Sequence, residues 1–498
     1  MRNFIILSLF TLSLFGCMIG PDYRRPIVET PPSWRFEEKR AKDVTNTAWW
    51  EQFDDPVLGE LIQVALKENK DVKIAAGRVE EFMGRYGTTR AALFPQVSAG
   101  ATAGRSRVTG NGPTPLTPAT ENPANNFFTF LNAGWEIDLW GKLRRATEAS
   151  RADLLSTEEG RRAVILTLVT SVASAYVNLR DLDTQLEIAQ RTTKSREQSY
   201  HLFQLRFRGG VISELELSQV KSEYEQALST IPFIEKIIAQ QENALSVLLG
   251  RNPGPIPRGK KIDEFALPAI PAGLPSDLLT NRPDILQAEQ DLIAANARIG
   301  VARSLYFPTI SLTGLFGFAS ADLSNLFTGP SRTWIWAVPV TAPIFTGGAI
   351  SGQVKSAEAV QQQALLRYQQ VIQTGFREVE DALIDQKRSR EQLEIQAQQV
   401  ESLRNSARFA RLRFDNGYTS YIEVLDAERS LFNAELSQAQ TKGVLFQSLV
   451  NLYKAMGGGW IVGADRTAGF TKDSNASTRG PKVFQEMAGG KDKPKNVE

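Results

Sequence analysis

The chain has 498 residues, of which 42% are hydrophobic and 22% are charged, and its 57 basic side chains nearly balance its 55 acidic ones. A net charge of +2 gives no overall attraction to nucleic acid, which excludes nucleic-acid binding as the main function. Beyond the N-terminus, no apolar run approaches the roughly 20 residues of a membrane-spanning helix. A single cysteine also excludes an internal disulfide.

The N-terminus has the layout of a secretory signal. Arg2 is followed by an apolar run from Phe4 to Phe15, and then by Gly16 and Cys17. The sequence Leu14-Phe15-Gly16-Cys17 resembles the bacterial lipobox, in which the cysteine is acylated and becomes the new N-terminus. We therefore expect a signal peptide at 1–16 and a lipid on Cys17, the alternative being an unmodified cysteine. The residue after it, Met18, favours the outer membrane.

Residues 17–55 are rich in proline and predict an extended surface segment, held in place by Trp49, Trp50 and Phe53. After Asp54 the apolar spacing becomes helical. It is interrupted by a polar run at 68–71, which indicates two stacked helices.

Two regions change from a helical period to a period of two, which is typical of strands with one apolar face. In 94–140, apolar residues such as Leu131 and Trp135 alternate with polar or small ones. In 307–346, Phe316 and Trp334 lie in comparable runs. Each region predicts one long β-hairpin.

Each hairpin is followed by glycine and then by a very long helical pattern without proline, at 142–207 and 349–414. Each of these stretches spans 66 positions, or roughly 100 Å of helix. Glycine turns then lead into return helices at 213–250 and 420–457.

The chain is an internal duplication of one large unit. Two pairs of matching segments carry this conclusion. At an offset of 207 positions, Leu205-Arg206-Phe207-Arg208-Gly209-Gly210 matches Leu412-Arg413-Phe414-Asp415-Asn416-Gly417. At an offset of 213 positions, Phe94-Pro95-Gln96-Val97-Ser98 matches Phe307-Pro308-Thr309-Ile310-Ser311. We assign the first repeat to 56–250, a linker to 251–282, the second repeat to 283–457 and a disordered C-terminal tail to 458–498.

Helix lengths suggest how the shorter helices are arranged beside the long ones. The return helix 213–250 and the helix 283–305 together match one long helix, as do 420–457 and 70–93. These sums predict that each pair stacks end to end beside a long helix.

Four strands with an apolar outer face cannot close a barrel, and open edges in lipid would leave unpaired backbone groups. Eight strands from two chains would enclose an interior that side chains fill, whereas twelve strands from three chains leave room for a passage. A trimeric channel fits best.

Across nearly its whole length the chain resembles the TolC-like outer membrane efflux proteins, in the lipidated OprM-like (NodT-type) branch. The residues that carry the resemblance, besides the duplicated pattern, are Cys17 with Gly20-Pro21-Asp22-Tyr23-Arg24-Arg25-Pro26, Trp49-Trp50 with Phe53 and Asp55-Pro56, and Ile422-Glu423-Val424-Leu425-Asp426-Ala427. The resemblance implies an α+β membrane protein. It would form a homotrimer with a twelve-stranded transmembrane barrel, four strands per chain, on a long periplasmic helical barrel.

The resemblance also implies a function and partners. The chain would conduct small molecules such as drugs and toxic compounds out of the cell, as in multidrug resistance, together with a periplasmic adaptor protein and an inner-membrane pump of the RND or MFS type. It would be anchored in outer membrane lipid by acyl chains such as palmitate on Cys17. The alternative is an outer membrane duct for type I protein secretion; a coiled-coil envelope protein is less consistent, because strands are predicted.

In the family, acidic side chains at the start of a return helix narrow the periplasmic entrance. By motif position these are Glu423 and Asp426, which are three residues apart and share a helix face. The alternative is that they are ordinary N-terminal acids favoured by the helix dipole. Further expected tip contacts involve Arg206, Arg413, Phe414 and, as the first-repeat equivalent of Glu423, Glu216.

Little in the sequence points to catalysis. The one histidine, His201, lies in a long helical pattern, and no His or Cys cluster suggests a metal site. No glycine-rich phosphate loop is present. We expect neither enzymatic activity nor a cofactor other than the covalent lipid.

Overall fold

The computed structural model describes residues 18–36, 48–112, 121–267, 275–458 and 460–469. The described chain forms two compact units. A strand-bearing unit comprises residues up to 29, 77–160 and 284–372, and a helical unit comprises 30–76, 161–283 and 373 onward. Each unit takes segments from both repeats, so the repeats are units of sequence and not of packing. The expected signal peptide and Cys17 lie outside the described residues.

The helices recur with nearly equal lengths in the two repeats. The nine α-helices of the described chain are α1 Pro56–Glu68, α2 Lys70–Ala91, α3 Lys142–Arg208, α4 Glu214–Leu248, α5 Leu278–Asn281, α6 Pro283–Ser304, α7 Ala349–Asp415, α8 Tyr421–Met456 and α9 Trp460–Thr467. Both long helices, α3 and α7, have 67 residues, and both α2 and α6 have 22. Each long helix is one residue longer than the sequence pattern predicts.

The strands form one antiparallel sheet in the order β1-β2-β3-β4, and β5 pairs with β3 as well. Their bounds are β1 Gln96–Ser106, β2 Ala124–Ile137, β3 Thr309–Ser320, β4 Arg332–Ala337 and β5 Val340–Thr341. The two predicted hairpins are present, and pairing of β2 with β3 joins them across the repeats. The last predicted strand is split because Pro339 has no N–H to donate, although its carbonyl accepts from Ser311 N at 3.1 Å.

One face of this sheet presents large apolar side chains to the outside of the chain. Leu131, Phe316 and Trp334 are paired in one row across β2, β3 and β4, and they are 53%, 45% and 65% exposed. A neighbouring row ends in Trp336, which is 72% exposed. A continuous exposed apolar face of this kind marks a surface that meets lipid or another protein.

The core of the helical unit is built around an apolar stretch of α3. An 18-residue window of α3 is apolar enough to cross a membrane by length and composition, yet 56% of it is buried within the chain. Ile165, Val169 and Val172 in this helix are completely buried. This burial is typical of the core helix of a packed helical bundle.

Trp49, Trp50 and Phe53 are buried and hold the segment before α1 against the helical unit, as the sequence predicts. Trp49–Phe53 forms a 3-10 helix, and Trp49 stacks on Tyr453 at a centroid distance of 5.0 Å. Asp55 then caps α1, accepting from Val57 N at 2.9 Å, while its second oxygen accepts from Tyr176 Oη at 2.9 Å. The carboxylate thus fixes both the start of α1 and its position against α3.

The expected end-to-end pairing of helices is wrong. Asn69, just before α2, donates from Nδ2 to the carbonyl of Leu248 at the end of α4, at 2.9 Å. Arg282, just before α6, donates to the carbonyl of Ala455 in α8 at 3.0 Å. The end of α4 therefore meets the start of α2, and α8 meets α6. Because α2 and α6 have equal lengths, length alone could not distinguish the two arrangements.

The described residues of the expected linker at 251–282, which are 251–267 and 275–282, include a packed stretch. Ile256, Ile262 and Phe265 are buried. Arg258 donates to Asp183 of α3 at 3.1 Å and also to Glu242 of α4. Apolar residues in an otherwise irregular stretch explain why this segment packs on the helices.

The expected disorder from residue 458 is wrong for the start of that tail. Trp460, Ile461 and Ala464 of α9 are buried. The buried Asp465 lies 2.8 Å from the Arg161 guanidinium. An eight-residue amphipathic helix becomes stable here because its apolar side meets a preformed surface. Residues from 470 lie outside the described part of the chain.

Candidate functional site

The two glycine turns at the ends of the long helices share one backbone geometry. After α3, Gly210 has φ +71°, and its N–H bonds to the Phe207 carbonyl at 2.9 Å. After α7, Gly417 has φ +75°, and its N–H bonds to the Phe414 carbonyl at 2.9 Å. Glycine at both positions allows the left-handed conformation that terminates a helix and reverses the chain.

In the first repeat, Glu216 is part of a helix cap. Its carboxylate accepts from Ser213 N at 2.8 Å and from Ser213 Oγ at 2.9 Å, while the Glu216 N–H bonds back to Ser213 Oγ at 3.3 Å. This reciprocal pair is a capping box at the start of α4. Glu216 is therefore engaged by its own helix end, as expected of a structural acid.

In the second repeat, Glu423 makes a different contact. Its carboxylate lies 3.1 Å from the Arg413 guanidinium, and the Ser420 side chain makes no capping hydrogen bond. The ion pair connects the last turn of α7 with the first turn of α8. Both side chains are about half exposed. The two repeats thus have the same residues at this position but different contacts.

Asp426 lies one turn further along α8 and pairs with Arg429. The same arginine also lies 3.4 Å from Glu223 of α4. The Asp426 side chain remains 56% exposed. Both predicted gate acids are therefore exposed side chains, each with one arginine neighbour.

Aromatic rings hold the two turns together. Phe203 of α3 packs on Phe414 of α7 and on Tyr421 of α8, at centroid distances of 6.1 and 4.2 Å. The Arg206 guanidinium lies 5.6 Å from the Phe203 ring centre and 5.4 Å from that of Phe414. Arg206 and Phe414 are thus brought together next to the two glycine turns, by ring stacking and cation–π contact.

A buried charged layer lies next to this aromatic cluster, and the sequence analysis missed it. Arg196 of α3 is 4% exposed and lies 3.0 Å from the Glu223 carboxylate. Burial lowers the pKa of Arg196 and raises the pKa of Glu428 in α8. The sequence feature that could have predicted this layer is a charged residue at a position of each helix where the apolar spacing predicts a buried side chain.

The segment that follows Cys17 is fixed to the strand-bearing unit. Arg145 is buried, and its guanidinium donates to the carbonyls of Ile19 and Gly20, both at 3.3 Å, and to the Asp22 carboxylate at 2.6 Å. Glycine at position 300 permits this close approach, because a Cβ there would lie 2.6 Å from the Ile19 carbonyl oxygen. The chain just after the expected lipid site therefore has one defined position.

Metal coordination has no candidate among the residues that the structure describes, where no group of three or more His, Cys, Asp or Glu side chains is arranged to hold an ion. His201 is an exposed side chain on α3, and its ring contacts Gln204.

Comparison with known proteins gives a consistent result. The family model described as outer membrane efflux protein matches residues 61–251 and 274–458. The chain is 36% identical to the cation efflux system protein CusC of Escherichia coli over 456 residues, which cover 90% of this chain and 97% of that protein. It is 35% identical to the probable efflux pump outer membrane protein TtgC of Pseudomonas putida, covering 92% of this chain and 96% of the relative.

Solved structures have the same fold. The CmeC outer membrane channel of Campylobacter jejuni superposes with a TM-score of 0.86 at 27% identity, covering 92% of this chain and all of that one. The open state of the MtrE outer membrane channel of Neisseria gonorrhoeae gives a TM-score of 0.81 at 30% identity, covering 89% and 98%. The chain belongs to the outer membrane efflux protein family.

Proposed function

We propose that this protein is the outer membrane duct of a tripartite efflux system, which conducts small molecules passively from an inner-membrane pump to the exterior. The single observation that best supports this function is the exposed apolar face of the antiparallel sheet. Its fourth strand is split into β4 and β5, so each chain contributes four strands. Such a sheet needs neighbours at both edges, because unpaired backbone groups in lipid cost several kcal/mol each. Three copies supply twelve strands, enough for a barrel with an open interior.

The proposal includes a lipid anchor on Cys17. The contacts of Ile19 and Asp22 with Arg145 support this part of the proposal, because they hold the segment next to Cys17 against the strand-bearing unit. The partners would be a periplasmic adaptor protein and an inner-membrane pump of the RND or MFS type. Substrate choice would belong mainly to the pump, and the relatives accordingly have names that refer to cations as well as to toluene.

The periplasmic entrance would be the tip formed by the two glycine turns, with Glu423 and Asp426 as its gate. Both carboxylates are exposed on the start of α8. Three copies of each would form rings of negative charge, which attract cations and repel anions. The capped Glu216 of the first repeat would take no part in the gate.

The test is single-channel recording in planar lipid bilayers, comparing the purified protein with a Glu423→Ala, Asp426→Ala double variant. We expect small cation-selective currents that grow, or lose cation preference, in the double variant. A Glu214→Ala variant changes an acid in the first turn of α4 and should leave both quantities unchanged. Absence of current from folded trimers would contradict the channel, whereas unchanged selectivity in the double variant would contradict only the gate.

A further inference from the structure

A basic cavity of about 500 Å³ lies in the helical unit between α3, α7 and α8. Its lining includes five arginines from two of these helices, which are Arg191, Arg196, Arg404, Arg408 and Arg411. The acidic side chains in the lining are Glu428 and Glu435 of α8. Arginines therefore outnumber carboxylates among the lining residues, although the whole chain is nearly neutral.

The carboxylates present are shared among the arginines. Glu435 lies 2.6 Å from Arg191 and 3.2 Å from Arg404, so one carboxylate serves two guanidinium groups. Glu428 is poorly suited to balance the remainder, because burial raises its pKa and disfavours its charged form. Carboxylates outside the lining also pair with these arginines, namely Glu223 with Arg196, Glu401 with Arg404 and Asp415 with Arg411. Within the described part of the chain, Arg408 is therefore the lining arginine whose charge no carboxylate balances.

Two of the arginines have unused hydrogen-bonding capacity. Arg408 lies over the Phe409 ring at 4.8 Å, and it makes no ion pair with any carboxylate in the described part of the chain. Arg196 bonds through Nη1 to the Glu223 carbonyl at 2.7 Å, but its buried Nη2 has no hydrogen-bond partner among the described residues. An unpaired donor in a buried position costs free energy that a suitable acceptor would recover.

The guanidinium groups also converge from different helices. Arg411 of α7 lies 3.2 Å from the Tyr421 hydroxyl and 3.5 Å from Ser199 Oγ, so two hydroxyl groups lie beside one of the lining arginines. Planar guanidinium forks and hydroxyls are the groups that bind tetrahedral oxoanions with several hydrogen bonds at once. A monovalent halide would use only a fraction of these donors.

We propose that this cavity binds a multivalent oxoanion of the phosphate type, free in solution, which links the long helices of the two repeats. The bound anion would bridge Arg196 or Arg191 of α3 to Arg404, Arg408 or Arg411 of α7.

The test is calorimetric titration of the purified full-length protein in detergent with inorganic phosphate, at constant ionic strength and with chloride as the competing anion. We expect saturable binding at about millimolar concentration and a higher thermal midpoint in phosphate than in chloride. Arg408→Gln should weaken binding by roughly tenfold, which corresponds to the loss of one charge-assisted contact. Arg408 is exposed, so its substitution leaves the fold intact.

Arg388→Gln is the matched control, because Arg388 is an exposed arginine on the same helix whose ion pair is with Glu391. It should bind phosphate like the unchanged protein. Equal weakening by the two variants, unchanged binding in Arg408→Gln, or no phosphate binding by the unchanged protein would each overturn the proposal. Binding of micelles containing phosphatidic acid without binding of inorganic phosphate would overturn it too, since the ligand would then be a lipid headgroup.

Discussion

The Arg413 guanidinium lies 3.1 Å from the Glu423 carboxylate, joining the end of α7 to the start of α8 across the Gly417 turn. The equivalent residues of the first repeat, Arg206 and Glu216, do not meet in this way. Arg206 lies over two aromatic rings, and Glu216 caps its own helix. Sequence duplication has therefore produced two turns of one shape with different electrostatic contacts.

Removing Arg413 should make the channel more selective for cations. In Arg413→Ala the Glu423 carboxylate loses its positive neighbour, so more negative potential remains at the entrance. The pair is half exposed, and such pairs are worth about 0.2–1 kcal/mol, which corresponds to at most a roughly fivefold change in the permeability ratio. The measurement is the reversal potential across a KCl gradient.

Arg208→Ala is the control for that experiment, since it removes an arginine from the corresponding end of α3. Its reversal potential should stay close to that of the unchanged protein. A shift toward anion selectivity in Arg413→Ala would show that Glu423 does not face the permeating ions.

Arg145→Met should release the segment that follows the expected lipid site. Arg145 is 1% exposed, and the change removes its bonds to the carbonyls of Ile19 and Gly20 and to Asp22. Hydrogen bonds to a charged group typically contribute about 1.5–3 kcal/mol each. Limited trypsin digestion should then cleave at Arg24 far faster than in the unchanged protein.

The comparison variant for this experiment is Asp22→Asn. The Asp22 side chain is 81% exposed, so its charge contributes little, and digestion should be only slightly faster. If Arg145→Met resisted trypsin as well as the unchanged protein does, the segment would be held by other contacts.

Gly250→Ala should be more destabilising than Gly210→Ala. Both glycines have φ +71°, which alone costs a side-chain-bearing residue about 1–2 kcal/mol. A Cβ at position 250 would also lie 2.2 Å from the Glu68 carbonyl oxygen, whereas position 210 is open. We expect a further cost of roughly 1–3 kcal/mol for Gly250→Ala from this overlap.

Thermal midpoints of the two variants, recorded in the same detergent, check this prediction. Equal midpoints would mean that the end of α4 and the start of α2 separate readily to admit the methyl group.

The sequence predicts local structure well where it is repeated or strongly periodic. Both long helices and both hairpins follow from their periods, and the match between repeats locates the glycine turns. Long-range contacts are where prediction fails. The pairing of α4 with α2 depends on the Asn69 side chain meeting the Leu248 carbonyl, and nothing in helix length encodes that contact.

In the candidate site too, the sequence predicts local features but not long-range contacts. Motif position identifies Glu423 and Asp426 but also suggests Glu216 as an equivalent of Glu423. The distinction depends on whether an arginine from the preceding helix reaches the carboxylate. Arg206 is held instead by Phe203 and Phe414, a contact between the two repeats that the sequence of either repeat alone cannot show.

Trp460→Ala should destabilise the helical unit, although the residue lies in a stretch that looks like a tail. Trp460 is 4% exposed and packs against Trp50 and Trp49 at centroid distances of 5.5 and 6.2 Å. Truncating a buried tryptophan typically costs about 3–5 kcal/mol. Val462→Ala changes a 39% exposed position in the same helix and should cost much less.

Differential scanning calorimetry of the two variants tests this expectation. Similar midpoints for Trp460→Ala and the unchanged protein would mean that α9 contributes nothing to stability.

Replacing Asp181 should stabilise the protein at neutral pH and have no such effect in acid. Asp181 of α3 is 6% exposed and packs against Gly443, and burial raises its pKa to about 6. Its Oδ2 accepts from Gln185 at 3.0 Å, while its Oδ1 has no hydrogen-bond partner among the described residues. At pH 7 the folded protein therefore contains a poorly compensated buried charge.

The sign of the effect follows from proton binding. Between the unfolded pKa near 3.9 and the folded pKa of about 6, the folded state binds more protons, so stability falls as pH rises through this window. Asp181→Asn removes the charge and keeps an acceptor for Gln185. Its stabilisation should reach up to about 3 kcal/mol above pH 7 and vanish below pH 4. Thermal midpoints from pH 4 to pH 8 measure this difference, and a constant offset across that range would show that Asp181 is uncharged throughout.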